Sequence, residues 1–263
     1  MDFQLMEATI HELLKDIIDH FSIYIQTSDG DISINAFEPK RAASTIKLPI
    51  LIEAFRQIEA GNLQPDTLVY IETDMKTGGA GVIDYLTNSN VYSYRNLLEL
   101  MIIVSDNTAA NIILDKIGMD TVNELAAAIG CNHTILSRKF MQLKDPSLEN
   151  YTSAQDMVKF LHLMEETDDL LSETSRNEIK QIMGHQQNNC KIAHYMNHDE
   201  CIKVYHKTGE LTGIEHDVAL LTYQEQKVYL ALLSENWQNN GTGRDYLAAI
   251  GKIVLQYLRN YGK

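Results

Sequence analysis

One serine and one lysine lie three residues apart in the segment Ser44-Thr45-Ile46-Lys47. If this segment opens a helix, the two side chains share a face, and a lysine with a lowered pKa can accept the proton of the serine. The free N–H groups and the dipole of a helix N-terminus would assist there. Alone the pattern is weak, because it occurs by chance about once in a chain of this size. A helix cap followed by a solvated lysine is the simpler interpretation.

Two further triplets make coincidence a poor explanation. Ser105-Asp106-Asn107 follows the apolar run 97–104, and Lys207-Thr208-Gly209 lies on a predicted strand near the C-terminus. The three motifs, in this order, are typical of class A β-lactamases and penicillin-binding proteins. The sequence resembles this family over roughly residues 8–261, with similar stretches also at 43–48, 104–111 and 150–153, and with Asp217 after the last triplet.

The resemblance implies a role for each motif residue. Ser44 would be the acylated nucleophile, Lys47 its proton acceptor or relay, and Ser105 the proton donor to the leaving nitrogen. An oxyanion hole would form from the backbone N–H groups of Ser44 and Glu210. The positions implied for substrate binding are Asn107, Lys207, Thr208, Gly209, Glu210 and, at the pocket rim, Tyr85, for which core packing is an equal alternative. No metal or cofactor is implied, and no pair of histidines has a zinc-protease spacing with a carboxylate.

The function implied is that of a serine hydrolase that opens β-lactam or related amide bonds through an acyl-enzyme at Ser44. Such an activity would place the protein in β-lactam breakdown and antibiotic resistance. Two alternatives stay open. One is a D-alanyl-D-alanine carboxypeptidase-like or other amide or ester hydrolase, and the other is a penicillin-binding sensor module that is acylated without turnover. The partner expected in each case is a small molecule, a β-lactam or an acyl-peptide-like substrate.

The sequence departs from the family at the base for deacylation. Class A enzymes carry a loop glutamate two residues beyond an arginine; if Arg138 matches that arginine, Phe140 occupies the glutamate position. Loss of a general base slows the step by about 10² to 10⁴. We therefore expect impaired deacylation. Glu149 or Asp145 is the alternative base from another point of the shortened loop, although solvated loop acids are the simpler interpretation of both.

A second departure concerns charge near the Lys-Thr-Gly motif. Relatives have a small or hydroxylic residue after this motif and often an arginine nearby, whereas this chain has Glu210 and Glu215. Carboxylates close to a bound carboxylate are unfavourable by roughly a few kcal/mol. The hypothesis that follows is a natural substrate with a neutral or cationic group at that point. The alternative is that Glu210 points to solvent or pairs with Lys207.

Composition excludes several other classes of function. The 263 residues contain 36 acidic and 22 basic side chains, a net charge of −14, which disfavours nucleic acid and anionic membranes as partners. Three cysteines without metal-ligand spacing predict no disulfide framework. No export signal is visible, so the sequence predicts a cytoplasmic protein if it is full length and an extracellular one if a signal has been removed. The oligomeric state stays open.

The elements that must position these residues follow from hydrophobic periodicity. Helical stripes are predicted at 7–20 and 244–260 and, between them, at 48–59, 95–103, 106–117, 120–129, 153–165 and 172–183. Strands are predicted at 21–26, 31–37, 202–207, 216–223 and 227–235. The predicted fold is α+β: one five-stranded antiparallel sheet flanked by the terminal helices, plus an all-α domain. Residues 1–42 and 196–263 would form the discontinuous sheet domain and 43–195 the all-α domain, with the active site at their junction.

Overall fold

The computed structural model describes residues 1–142, 145, 147–165, 170–196 and 201–260. Its helices in these ranges are α1 (Phe3–Leu14), α2 (Lys47–Glu59), α3 (Tyr94–Ile103), α4 (Asn107–Ile117), α5 (Met119–Ala128), α6 (Ala154–His162), α7 (Glu173–Gly184) and α8 (Asn240–Asn260). Its strands are β1 (Phe21–Gln26), β2 (Asp31–Ile34), β3 (Lys40–Arg41), β4 (Leu68–Tyr70), β5 (Val91–Ser93), β6 (Tyr151–Thr152), β7 (Ile202–Leu211), β8 (Ile214–Tyr223) and β9 (Gln226–Glu235). None of these helices is long and apolar enough to cross a bilayer.

Five strands from the two ends of the chain form the main sheet. Their order is β2-β1-β9-β8-β7, and every neighbouring pair is antiparallel. The predicted hairpin turn joins β1 to β2, with Gln26 opposite Asp31. The predicted fold class is therefore confirmed, including the flanking helices α1 and α8.

The sheet is covered on both faces. Because side chains alternate along each strand, neighbouring residues enter two different cores. On β8, Val218 and Leu220 belong to the core that also contains the central helices. Ala219 and Leu221 belong instead to the core formed with α1 and α8. A sheet covered on both sides needs apolar residues at consecutive positions, which explains the unbroken apolar runs in β8 and β9.

Helix α2 lies inside the helical segment. Its first nine residues, 47–55, are all buried, so this part of the helix is enclosed on every side instead of having a solvated face. Lys47 is its first residue and is completely buried. The tertiary position of α2 therefore removes water from one of the predicted catalytic groups.

Besides shifted ends, such as β2 ending at Ile34, α6 at His162 and β7 at Leu211, the structure differs from the prediction in two larger ways. The first helix ends at Leu14, and a separate 3₁₀ turn covers Ile18–His20 where one helix over 7–20 was expected. The central segment also contains short strand pairs, β3 with β6 and β4 with β5. Two- and three-residue strands are too short to show a period of two in sequence. Residues 197–200 and 261–263 of the predicted sheet domain, and 143, 144 and 146 of the predicted loop, lie outside the described residues.

Candidate active site

The predicted nucleophile lies on a tight turn just before α2. Ala43–Ile46 form a 3₁₀ turn, Ala43 has a φ of 46°, and Lys47 begins the α-helix. This turn brings the Lys47 Nζ within 3.2 Å of the Ser44 Oγ. The three-residue spacing therefore works as expected, although in a 3₁₀ turn, where residues i and i+3 also share a face.

The Lys47 amine contacts two carbonyl oxygens and two hydroxyls. Nζ donates to the Ser105 carbonyl oxygen at 2.7 Å and to the Asn107 Oδ1 at 2.8 Å. The Asn107 Nδ2 donates to the Gly78 carbonyl at 3.0 Å, which fixes Oδ1 toward the lysine. A neutral amine has two N–H groups and one lone pair. When Lys47 is neutral, the two carbonyl oxygens take both N–H groups and the lone pair is left for a hydroxyl of Ser44 or Ser105, both 3.2 Å away.

Electrostatics favour that neutral form. Burial, followed by the positive charge of Lys207, lowers the pKa of Lys47 well below the usual lysine value, against an opposing effect of Asp106. Desolvation disfavours an ammonium ion because water is its best solvent. The lowered pKa is the property that a lysine base requires.

The hydroxyl of Ser105 lies between two lysines. Its Oγ is 3.2 Å from the Lys47 Nζ and 3.0 Å from the Lys207 Nζ. Burial, followed by the charge of Lys191, lowers the pKa of Lys207 to about 7, against an opposing effect of Asp217. The structure thus joins the Ser-x-x-Lys, Ser-Asp-Asn and Lys-Thr-Gly motifs in one hydrogen-bonded array.

Asp106, the middle residue of its triplet, holds the site together. Its Oδ1 accepts from the Ala109 N–H at 3.0 Å and caps α4. Its Oδ2 accepts from the N–H groups of Val82 and Ile83 at 2.6 and 2.9 Å. A Cβ on Gly81 would lie 2.3 Å from the Asp106 Cγ. The loop that carries Gly78 is therefore pinned against the Ser105 turn.

Strand β7 lies directly against the nucleophile turn. A Cβ on Gly209 would be 3.1 Å from the Thr45 Cγ2 and 3.2 Å from the Ala43 Cβ. The lack of a side chain at Gly209 lets the backbone of β7 approach Ser44, as an oxyanion hole with one donor from each element would require. Glu210, the next residue, is exposed.

These groups open onto a cleft of about 750 Å³. Ser44, Ser105, Asn107, Thr208 and Glu210 all line it. The remaining lining residues are Arg41, Ala43, Gly79, Ala80, Arg138, Phe140, Met141, Glu149, Asn150, Asn188, Cys190, Lys191, Leu211, Thr212, Asn240 and Arg244. Among the described residues, no cluster of histidine, cysteine and carboxylate side chains could hold a metal ion.

A family model described as the beta-lactamase enzyme family matches residues 5–258. The chain belongs to the β-lactamase enzyme family. A β-lactamase from Sphaerobacter thermophilus is similar at 26% identity and a TM-score of 0.89, with 100% of both chains covered. PBP-A is similar in fold at 22% identity and a TM-score of 0.86, covering 98% of this chain and 97% of its own. A class A β-lactamase from Bacteroides cellulosilyticus has 22% identity and a TM-score of 0.84, with 97% of each chain covered. Comparison with curated proteins gives no match.

Within this β-lactamase family fold, Phe140 lies against Lys47. Its ring centroid is 4.4 Å from the Lys47 Nζ, and its side chain is buried. Its backbone is held on both sides by Asn111, which accepts from the Phe140 N–H at 2.9 Å and donates to the Phe140 carbonyl at 3.1 Å. An apolar ring therefore fills the space beside the amine.

Neither loop acid has a free carboxylate beside Ser44. Glu149 accepts from the Arg41 Nε at 3.1 Å, from the Arg138 Nη2 at 2.7 Å and from the Asn150 N–H at 2.9 Å. Asp145 is exposed and accepts from the Ser147 hydroxyl and N–H, which hold the pKa of its carboxyl below the usual value. Glu149 lines the cleft as part of an ion pair, and Asp145 is absent from the lining.

The two acidic residues near the Lys-Thr-Gly motif differ in environment. Glu215 is completely buried, with its Oε2 2.6 Å from the Lys191 Nζ and its Oε1 3.4 Å from the Arg244 Nε. Its charge is therefore compensated. Glu210 is exposed, while Lys207 donates to Ser105 and to the Thr208 carbonyl. Of these two carboxylates, Glu210 is therefore the one whose charge opposes an anionic substrate.

Sequence reasoning missed four cations of the cleft and placed one residue differently. Arg41, Lys191 and Arg244 were not assigned to the site, and Arg138 was used only to align the loop. Arg41, Lys191 and Arg244 pair with carboxylates that lie far away in sequence, as Glu149 does from Arg41, so no local pattern reveals them. Tyr85 is 70% exposed and lies outside the cleft lining, so the structure does not bring it to the pocket.

Proposed function

We propose that the protein forms an acyl-enzyme at Ser44 with β-lactams or related amides, and that hydrolysis of this acyl-enzyme is slow. The observation that carries the proposal is the array in which Lys47 contacts both Ser44 and Ser105 and Lys207 contacts Ser105. Acyl transfer needs a nucleophile, a base and a proton donor for the leaving group. The array provides each of them within hydrogen-bonding distance.

Acylation follows from these contacts. The Ser44 Oγ attacks the carbonyl carbon while its proton moves to the lone pair of Lys47. The backbone N–H groups of Ser44 and Glu210 stabilise the resulting oxyanion. When the C–N bond breaks, the nitrogen takes the proton of the Ser105 hydroxyl, and Lys47 returns its proton to Ser105 across the 3.2 Å contact. Lys47 ends neutral, and Ser44 ends as an ester.

Substrate binding would use the groups that line the cleft beside the array. The Thr208 hydroxyl lines the cleft and would position the substrate carboxylate. Lys207, whose pKa is lowered by burial to about 7, would act from behind the cleft wall through its contacts with Ser105 and the Thr208 carbonyl. The Asn107 Nδ2 and the edge of β7 would take the amide of the acyl side chain. The exposed carboxylate of Glu210 opposes anionic groups at its own end of the cleft.

The slow second step follows from Phe140. Ester hydrolysis needs a base that activates water beside the acyl carbonyl, and the ring of Phe140 occupies the space next to Lys47. Both carboxylate oxygens of Glu149 are paired with arginines, so neither is free to accept a proton from water. A long-lived ester favours a penicillin-binding role over rapid β-lactam hydrolysis. A variant of PBP-A, which shares the fold, has been solved as an acyl-enzyme complex with penicillin G.

The test follows intact mass and colour together. The protein is mixed with benzylpenicillin or with a chromogenic cephalosporin, and the expected result is one adduct per chain with a lifetime of minutes or longer. Ser44→Ala should lose the adduct. Ser33→Ala is the matched control because Ser33 is exposed on the edge strand β2, and it should behave like wild type. Fast continuous turnover would contradict the slow step, and the lack of both adduct and turnover would contradict acylation by β-lactams.

A further inference from the structure

Arg41 is fixed beside the nucleophile by its backbone. Its carbonyl accepts from the His216 Nε2 at 2.8 Å, and β3 pairs it with Tyr151 on β6. The Ser234 N–H donates to the His216 Nδ1 at 3.0 Å, so His216 must carry its proton on Nε2. The next residue, Ala42, donates to the Asn150 carbonyl at 2.8 Å. Arg41 is therefore held in place three residues before Ser44.

The guanidinium of Arg41 has one engaged edge and one free edge. Its Nε and Nη2 both lie 3.1 Å from the Glu149 Oε2. In the described part of the chain, its Nη1 has no hydrogen-bond or ion-pair partner. The side chain is 43% exposed and lines the cleft. A planar guanidinium held along one edge presents the other in a defined direction.

Arg138, the second arginine on Glu149, has no such free edge. Its Nε donates to the Leu148 carbonyl, its Nη1 to the Lys139 carbonyl and its Nη2 to Glu149. The Arg41–Glu149–Arg138 group nevertheless has two positive charges and one negative charge. The group therefore has a net positive charge. Its N–H groups that are available to a ligand belong to Arg41.

The arginine and the proton-donor system contact different parts of the site. Ser105 contacts both Lys47 and Lys207, where the leaving nitrogen must be protonated. Arg41 instead contacts Glu149 in the loop that also carries Phe140. In an acyl-enzyme the acyl group extends from the ester carbonyl away from the departing nitrogen. We place the acyl group along the side of the cleft that Arg41, Glu149 and Phe140 line together with Ser44.

We propose that Arg41 recognises a carboxylate on the acyl side chain of the substrate. The inference rests on the proposed acylation of Ser44 and adds a substrate class: acyl groups with an anionic substituent near the scissile carbonyl. Such a carboxylate would accept from Arg41 Nη1 in a charge-assisted hydrogen bond. Glu210 at another point of the cleft rim would repel the same group, so the two residues together fix the orientation of the substrate.

The test uses three penicillins that differ in one substituent: benzylpenicillin, its α-carboxy derivative and its α-amino derivative. Second-order acylation rate constants are measured by intact mass, and dissociation constants are measured by calorimetry on the Ser44→Ala background. The expected preference is α-carboxy over α-amino in both measurements. Arg41→Gln should lower this preference about five- to tenfold, the size of one partly exposed charge-assisted contact.

Two further variants separate recognition from general effects. Arg95→Gln is the matched control, because Arg95 pairs with Glu178 on the surface with a similar exposure of 38%; it should leave the preference unchanged. Arg41→Gln with Glu149→Gln restores the local net charge without the arginine, and its preference should stay low. Recovery in this double variant would overturn the proposal, since total charge would then explain the effect.

The outcomes distinguish this inference from the proposed function. An equal preference in wild type and Arg41→Gln, or no preference in the binding measurement, overturns the role of Arg41. Preferential binding of the α-carboxy compound to Ser44→Ala, dependent on Arg41 and without any acylation of wild type, would contradict the proposed function and support the anion site.

Discussion

Replacing Phe140 by glutamate should convert a long-lived acyl-enzyme into one that turns over. The ring centroid of Phe140 lies 4.4 Å from the Lys47 Nζ, and its side chain is only 7% exposed. Asn111 holds the backbone at this position on both sides. A glutamate there would place its carboxylate beside the lysine and the acyl carbonyl.

The substitution is expected to speed deacylation and to slow acylation. A positioned general base contributes about 10² to 10⁴ in rate, or roughly 3–5 kcal/mol of barrier. A new carboxylate about 4 Å from the Lys47 amine stabilises the ammonium form by up to about 4 kcal/mol at an effective dielectric constant of 20. This interaction raises the pKa of Lys47 and slows acylation. We expect deacylation at least about 100-fold faster and acylation about tenfold slower or worse.

The assay separates the two steps. The protein is labelled to completion with benzylpenicillin, excess drug is removed, and decay of the adduct is followed by intact mass. Phe140→Gln is the matched control because it has the same shape as the glutamate variant without a base. Equal adduct lifetimes for Phe140→Glu and Phe140→Gln would refute the reasoning that a missing base limits deacylation.

Two other predictions concern stability and the nucleophile turn. Burial lowers the pKa of His216 from 6.5 to about 4, so unfolding takes up a proton at pH values between these two, and the free energy of unfolding falls as the pH falls. Urea titrations should show a loss of about 2–3 kcal/mol between pH 7.5 and pH 4.5. This loss should be absent in His216→Gln and retained in His11→Asn, a substitution at an exposed site. Gly209→Ala should slow acylation about tenfold or more, because the added Cβ would press on Thr45. Gly184→Ala is the control, since its Cβ would meet Tyr205 at an ordinary 3.4 Å, and it should leave acylation unchanged. Equal acylation rates in the two variants would contradict this prediction.

Much of the fold was predictable because long elements carry their burial pattern in the sequence. The predicted strands 216–223 and 227–235 correspond to β8 and β9, since alternate positions face two apolar cores. Helices α3 to α7 likewise follow their predicted stripes within a few residues. The short ladders β3–β6 and β4–β5 were not predicted, because their residues pair across long sequence separations and show no period of their own.

The site was predictable only where chemistry is coded locally. The Ser44 to Lys47 spacing survives in a 3₁₀ turn, and three motifs distant in sequence meet at the hydroxyl of Ser105. The resemblance to a known family indicated this meeting, since spacing alone offered a helix cap as the simpler interpretation. The engagement of Glu149 by Arg41 was beyond sequence reasoning, because the two residues lie 108 positions apart in the chain.

The sequence by itself determined the types of chemical group, their order and the elements that carry them. Only the tertiary structure decided the state of those groups. Lys47 is a candidate base because α2 is enclosed and a second lysine lies near, and the pKa of an amine depends on lost water and neighbouring charge. Glu215 is compensated by Lys191, whereas Arg41 keeps a free edge. Solvation and charge pairing are properties of three-dimensional surroundings, so the same residues acquire their roles only when the chain is folded.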